Sequence, residues 1–178
     1  MTNTDSPQQL EQVREWYLSL RKSLELYRSE IYKNIHQRNV NVPIEFVGMT
    51  ESELKEKFDE YFRELSFSVC LNLAAAIEAN IQNNFKLRVT NRKKDNISKK
   101  LRELVRLEKT YQLNLQKILN IWKENKPELK KIINQYETIL QFRHWLAHGR
   151  HWILKTNIFE EDLIYQHGLL LLSKIESE

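Results

Sequence analysis

Thr50-Glu51-Ser52-Glu53-Leu54 opens the stretch that decides the fold, which runs on to Phe85. Thr followed three residues later by Glu is a capping box: the hydroxyl accepts the Glu backbone N–H and the carboxylate accepts the Thr backbone N–H. Behind it Leu54, Phe58, Tyr61, Leu65, Val69, Leu73, Ile77, Ile81 and Phe85 recur every three or four residues. That spacing keeps one face of a helix apolar for roughly 50 Å. A helix this long is expected to break near Ser66 or Ser68.

Working outward, the same logic repeats. Ser6-Pro7-Gln8-Gln9 is a second capping box with proline at the first helical position, where its missing N–H costs nothing. Leu10, Val13, Tyr17, Leu20, Leu24, Tyr27 and Ile31 follow as a narrow stripe, and Val42-Pro43 ends a helix that fades over His36 to Asn41. A third helix carries Ile97, Leu101, Leu104, Tyr111, Leu115, Ile118 and Trp122. Lys126-Pro127 resets the chain, and a fourth helix runs from about Glu128 through Ile132, Tyr136 and Ile139 to a first stop at Gly149. Residues 161–175 read as a short closing helix.

Composition agrees. The 178 residues hold only three glycines and three prolines, too few turn formers for a sandwich, a barrel or a glycine-rich nucleotide fold. A hydrophobic fraction of 41% is too high for disorder. The expectation is one all-α domain over residues 1–178, an antiparallel bundle of about four long helices plus a short C-terminal helix. The single Cys70 excludes an intrachain disulfide, and its place between Val69 and Leu71 suits the core better than nucleophilic catalysis. With no charged-then-apolar leader and no apolar run near ~18 residues, a soluble cytoplasmic protein without membrane contact is expected.

Chemistry gathers in Gln141-Phe142-Arg143-His144-Trp145-Leu146-Ala147-His148-Gly149-Arg150-His151-Trp152, which holds three of the five histidines and two of the four tryptophans. Continued from Ile132 and Tyr136, the apolar stripe of the fourth helix reaches positions 143 and 150, both arginine. A charge where burial is due marks a functional site. The alternative is a drift to Ile133, Tyr136, Leu140 and Ala147, with both arginines reaching solvent. His144 and His148 have the i, i+4 spacing of metal ligands, but His151 lies about 10 Å along the axis from His144 and no carboxylate adjoins, so no metal or other cofactor is expected.

Arginine and histidine without metal make a coherent set. Arg143 offers a fixed fork of donors for phosphate, and His148 an imidazole that exchanges a proton near neutrality. Together they suit RNA cleavage by attack of a ribose 2′-hydroxyl on its own phosphate. Five residues on a helix is about 140° of rotation, so one Arg and one His of a single chain diverge. Two such helices meeting across a two-fold axis would converge them, which asks for a homodimer.

Arg143-His144-Trp145-Leu146-Ala147-His148 has the Arg-x4-His form of the HEPN superfamily, and Gly149 after it strengthens the resemblance. The resemblance implies a small helical bundle that dimerises and a metal-independent endoribonuclease with Arg143 and His148 central in a composite cleft. His144 fills the polar slot that often follows the Arg, and Glu78, among Ala74, Ala75, Ala76 and Ala79, resembles the acidic residue that sometimes assists. Arg150 is a further supporting candidate; it stands where the toxin branch carries tyrosine. Toxin–antitoxin or antiphage duty, with an inhibitory or antitoxin partner, is likewise implied by resemblance. The competing reading is a non-catalytic dimerisation module that binds RNA or protein.

Charge is concentrated. Twenty-eight Lys and Arg against 24 Asp and Glu give +4 overall and a pI near 9.1. Between Lys86 and Lys109 ten basic residues face three acidic ones, so the remainder of the chain is net acidic. Arg92, Lys93, Lys94, Lys99, Lys100 and Arg102 are the expected RNA-phosphate contacts. The bland account is a solvated face with pairs such as Glu103 with Arg106. Few aromatics interleave, so base stacking is not expected from this segment.

Overall fold

A computed structural model describes residues 6–37 and 42–176, with the side chains of residues 6–8 outside the description. Six α-helices follow one another: α1 (Ser6–His36), α2 (Glu51–Thr90), α3 (Asn96–Glu108), α4 (Leu115–Asn125), α5 (Lys130–Ala147) and α6 (Glu161–Glu176). Single 3₁₀ turns stand at Ile44–Phe46 and Pro127–Leu129, and no strand occurs among the described residues. No described helix is long and apolar enough to cross a membrane.

α2 is the axis of the structure. Its capping box forms as expected, Thr50 N–H donating to Glu53 at 2.7 Å and Glu53 N–H to Thr50 Oγ1 at 3.3 Å. The helix does not break at Ser66 or Ser68 and runs on for 40 residues. Ser66 instead spends its hydroxyl on Glu161 of α6, at 2.5 Å. Burial would raise the Glu161 carboxyl. The bonds from Ser66 and Tyr17 and the nearby Arg21 outweigh it and hold the group below the usual range.

The expected third helix is two. Lys109 turns left-handed at φ 53°, Thr110 Oγ1 accepts the Gln112 N–H at 3.0 Å, and Asn114 caps α4 through the Gln116 N–H at 2.8 Å. Tyr111 and Leu115 keep helical spacing across the gap, which is why periodicity alone reads straight through it. Tyr111, expected on the apolar stripe, is 67% exposed in the link.

The last helix is more than a closure. α6 buries Ile164, Tyr165, Leu171, Leu172 and Ile175 against α1, α2 and α5. A Cβ at Gly168 would lie 2.6 Å from Ile77 Cδ1, so glycine is what lets α6 settle onto α2. His167 is half-buried with Nε2 2.9 Å from the Ile132 carbonyl, and burial lowers its pKa. A second, aromatic core lies where α1 meets the start of α2. There Phe46 stacks on Phe58 at 5.5 Å and Ile31 and Leu54 close the cluster.

Candidate functional site

α5 is held to the core by Ile133, Tyr136, Ile139 and Phe142, all buried. This buried face lies between the two registers that the pattern allows, and Phe142 takes the place at which either would have put Leu140 or Arg143. The helix ends at Ala147 because Gly149 (φ 73°) and Arg150 (φ 61°) both turn left-handed. Gly149 N–H donates to Leu146 O at 3.3 Å and Arg150 N–H to Trp145 O at 3.1 Å, the paired bonds of a Schellman end. His151 folds back so closely that a Cβ on Gly149 would stand 3.0 Å from its Nε2.

This end presents the candidate residues. Arg143 is half-exposed, and its Nη2 lies 3.7 Å from Glu78 Oε2 on α2. Its Nε is shut off from solvent and has no hydrogen-bond partner among the described residues. Tyr136 belongs to the same locale. Its hydroxyl donates to the Ala74 carbonyl at 3.3 Å, and burial, then the Glu78 charge, push the phenol well above its ordinary value. Beginning at the next residue, the exposed rings of His144 and His148 meet with centroids 4.2 Å apart, and Trp152 lies near both at 5.6 and 6.2 Å.

The structure therefore brings Arg143 to Glu78 and His144 to His148. No described hydrogen bond, ion pair or ring contact joins Arg143 to His148. Arg150 goes elsewhere: its fork grips Glu64 at 2.5 and 3.2 Å, with the guanidinium 5.4 Å from the Phe67 ring. Glu64 and Glu78 are fourteen positions apart on α2, so the two arginines are tied to points about 21 Å apart along that helix.

Beside the histidines lies a cleft of about 590 Å³, where His144 and Trp152 face Gln116, Glu137 and Gln141. Sequence reading did not find Gln116, Glu137 or Glu64, since each comes from a distant part of the chain and carries no motif. Trp145 is a packing anchor: its ring lies on Phe142 and its Nε1 donates to the Trp152 carbonyl at 2.8 Å, fixing the returning loop. Cys70 is buried, and burial with the Glu161 charge pushes its thiol up to about 12, which leaves no thiolate for nucleophilic chemistry near neutral pH. No group of three or more described His, Cys, Asp or Glu side chains converges as metal ligands would.

The basic segment divides. Arg92, Lys93, Lys94, Lys99 and Lys100 are exposed, and Arg102 is half-buried, with Nη1 donating to the Lys93 carbonyl at 2.8 Å. Arg88, counted with them by sequence, is 1% exposed and belongs to the core. The Glu103–Arg106 pair does not form among the described residues. No family model matches this chain, and neither a curated protein nor a solved structure is found to be similar to it.

Proposed function

We propose that the protein is a metal-independent endoribonuclease acting as a homodimer, with the end of α5 as its half-site. The observation that carries the proposal is the pairing of exposed His144 and His148, their rings tilted against each other at 4.2 Å, with the adjoining Arg143, whose fork is only partly engaged. In the proposed reaction His148 takes the proton of a ribose 2′-hydroxyl as that oxygen attacks the adjacent phosphorus. The bond to the 5′-oxygen breaks, and a proton is returned to that oxygen, leaving a 2′,3′-cyclic phosphate and a 5′-hydroxyl. Arg143 would neutralise the charge gathering on the phosphoryl oxygens, positioned by Glu78.

The dimer supplies what one chain lacks, since Arg143 and His148 do not meet within it. Exposed Leu163 and Leu170 of α6 edge an apolar groove with Ile139 and Phe159, a surface that a second copy can cover. Under the HEPN resemblance, cytoplasmic RNA is the substrate, toxin or antiphage defence is the role, and an inhibitory partner would act by masking the histidines.

The test is cleavage of an end-labelled structured RNA in excess EDTA by the wild type and by His148→Ala, both checked by circular dichroism. Cutting by the wild type alone, with cyclic-phosphate ends, is expected. Equal cutting by the variant would remove His148 from the chemistry. RNA binding without turnover in either protein would make the chain a non-catalytic module.

A further inference from the structure

The corner where the end of α2, α3 and the α3–α4 link meet encloses a groove of about 450 Å³ lined by Arg92, Arg102, Arg106, Lys109 and Tyr111. No carboxylate is among its described lining. The three acidic residues of the surrounding segment explain why. Asp95 is turned inward to Ser98 and Arg88, Glu108 is bonded to Lys117 of α4, and Glu103 lies outside the groove. Four cations thus face one concavity without internal neutralisation.

Its walls are set by backbone rather than by side-chain chance. Arg92 (φ 48°) and Lys109 (φ 53°) each occupy the left-handed region just past the ends of α2 and α3. Glycine would be cheaper at both places, and a long cation there marks a local cost retained for another purpose. Arg102 braces the Arg92 turn through the Lys93 carbonyl. Tyr111 stands at the edge, its ring 67% exposed because the α3–α4 link lifts it off the apolar stripe.

We propose that this groove is a subsite for single-stranded RNA, in which Arg92, Arg106 and Lys109 hold phosphates and Tyr111 stacks on an unpaired base. Two guanidinium forks and an ammonium suit phosphate oxygens, and an exposed ring beside them suits the face of a base rather than an acidic peptide. The groove lies past the end of α2, about 20 Å along that helix from the Glu78–Arg143 contact, so it holds a different part of the strand. It shares its ligand class with the function proposed above but contributes binding alone, which is read without turnover.

The experiment is fluorescence anisotropy with a labelled oligo(rA) in the full-length His148→Ala background, against inorganic polyphosphate and poly-glutamate as competitors. Tyr111→Ala is expected to weaken RNA binding by about five-fold or more and leave polyphosphate binding unchanged, while Tyr111→Trp keeps full affinity. Arg106→Ala with Lys109→Ala should weaken both ligands and flatten the salt dependence of RNA binding by a slope of about one to two. Each variant is first shown to have the parent's circular dichroism and melting temperature. RNA affinity indifferent to Tyr111, or equal losses for RNA and polyphosphate, would overturn the stacking site. Poly-glutamate competing as strongly as RNA would reassign the groove to an acidic protein. A failure of cleavage in the wild type touches none of these readings.

Discussion

Arg88 and Arg143 both rise from helix faces that pack inward, and their surroundings treat them in opposite ways. Every side of Arg88 is used. Its Nε donates to Asn84 at 2.8 Å, Nη1 to Ser98 at 3.3 Å and Nη2 to the Ile175 carbonyl at 3.1 Å. Asp95 lies 3.2 Å away and the Trp122 ring lies 4.9 Å from its guanidinium carbon. One side chain therefore ties α2 to α3, α4 and α6. Among the described residues Arg143, 37% exposed, makes one ion pair, at 3.7 Å, and leaves its Nε without a hydrogen-bond partner. A buried charge must be saturated with acceptors, because a stranded one costs several kcal/mol. An arginine left unsaturated beside an exposed histidine pair keeps bonding capacity for something that arrives.

The contrast can be broken, first at Arg88. Arg88→Ala strands Ser98, Asp95 and a helix-end carbonyl and empties the face of Trp122, and is expected to cost about 3 kcal/mol. Urea denaturation measures it, and a loss within error of zero would end the claim that Arg88 is structural. Arg143→Ala should do the reverse. The proposed RNA cleavage should fall by about 10²–10³-fold, while stability changes by less than about 1 kcal/mol, as befits a half-exposed pair. A large loss of stability there would make Arg143 a second tie and not a functional group.

A third outcome sharpens the Arg88 side. Burial would raise the Asp95 carboxyl, but bonds from the Ser98 hydroxyl and backbone N–H, with the Arg88 charge, outweigh it and hold the group below its ordinary 3.8. A carboxyl depressed on folding adds stability that is full above its unfolded value and fades as pH falls through the folded one. Wild type should therefore lose stability below about pH 4 that Asp95→Asn, which keeps the cap, has already forgone. Denaturation of both proteins at about pH 6 and pH 3 compares the slopes, and equal slopes would count against the coupling. The smallest effect is at Arg150. Its exposed bridge to Glu64 is worth up to about 1 kcal/mol, and Arg150→Ala should cleave within a few-fold of wild type. A loss as deep as that of Arg143→Ala would return Arg150 to the site.

Much of the helical layout is legible in the chain, because capping and periodicity act over a few residues. Thr50 with Glu53, Lys126-Pro127 and Gly149 mark boundaries that the structure keeps, and every apolar stripe residue of α2 from Leu54 to Phe85 turns inward at least in part. The α3–α4 break escapes because Tyr111 and Leu115 preserve the spacing that the broken backbone does not. Of the candidate site, the Arg143–His148 stretch stands out by composition, and Glu78 by analogy. Gln116, Glu137 and Glu64 have no local signature.

By itself, then, the sequence determined an all-helical chain, where most of its helices start and stop, and which short stretch concentrates imidazole and guanidinium. Tertiary structure alone decided which cations are spent inside and which face out. Arg88 and Arg92 are alike as letters in one basic run. The first is enclosed by acceptors from α2, α3 and α6, and the second is left at a turn with no carboxylate among the described lining of the groove around it. The sign of a charge is local, whereas the acceptors that satisfy it come from segments distant in the chain, so its role appears only once they have packed.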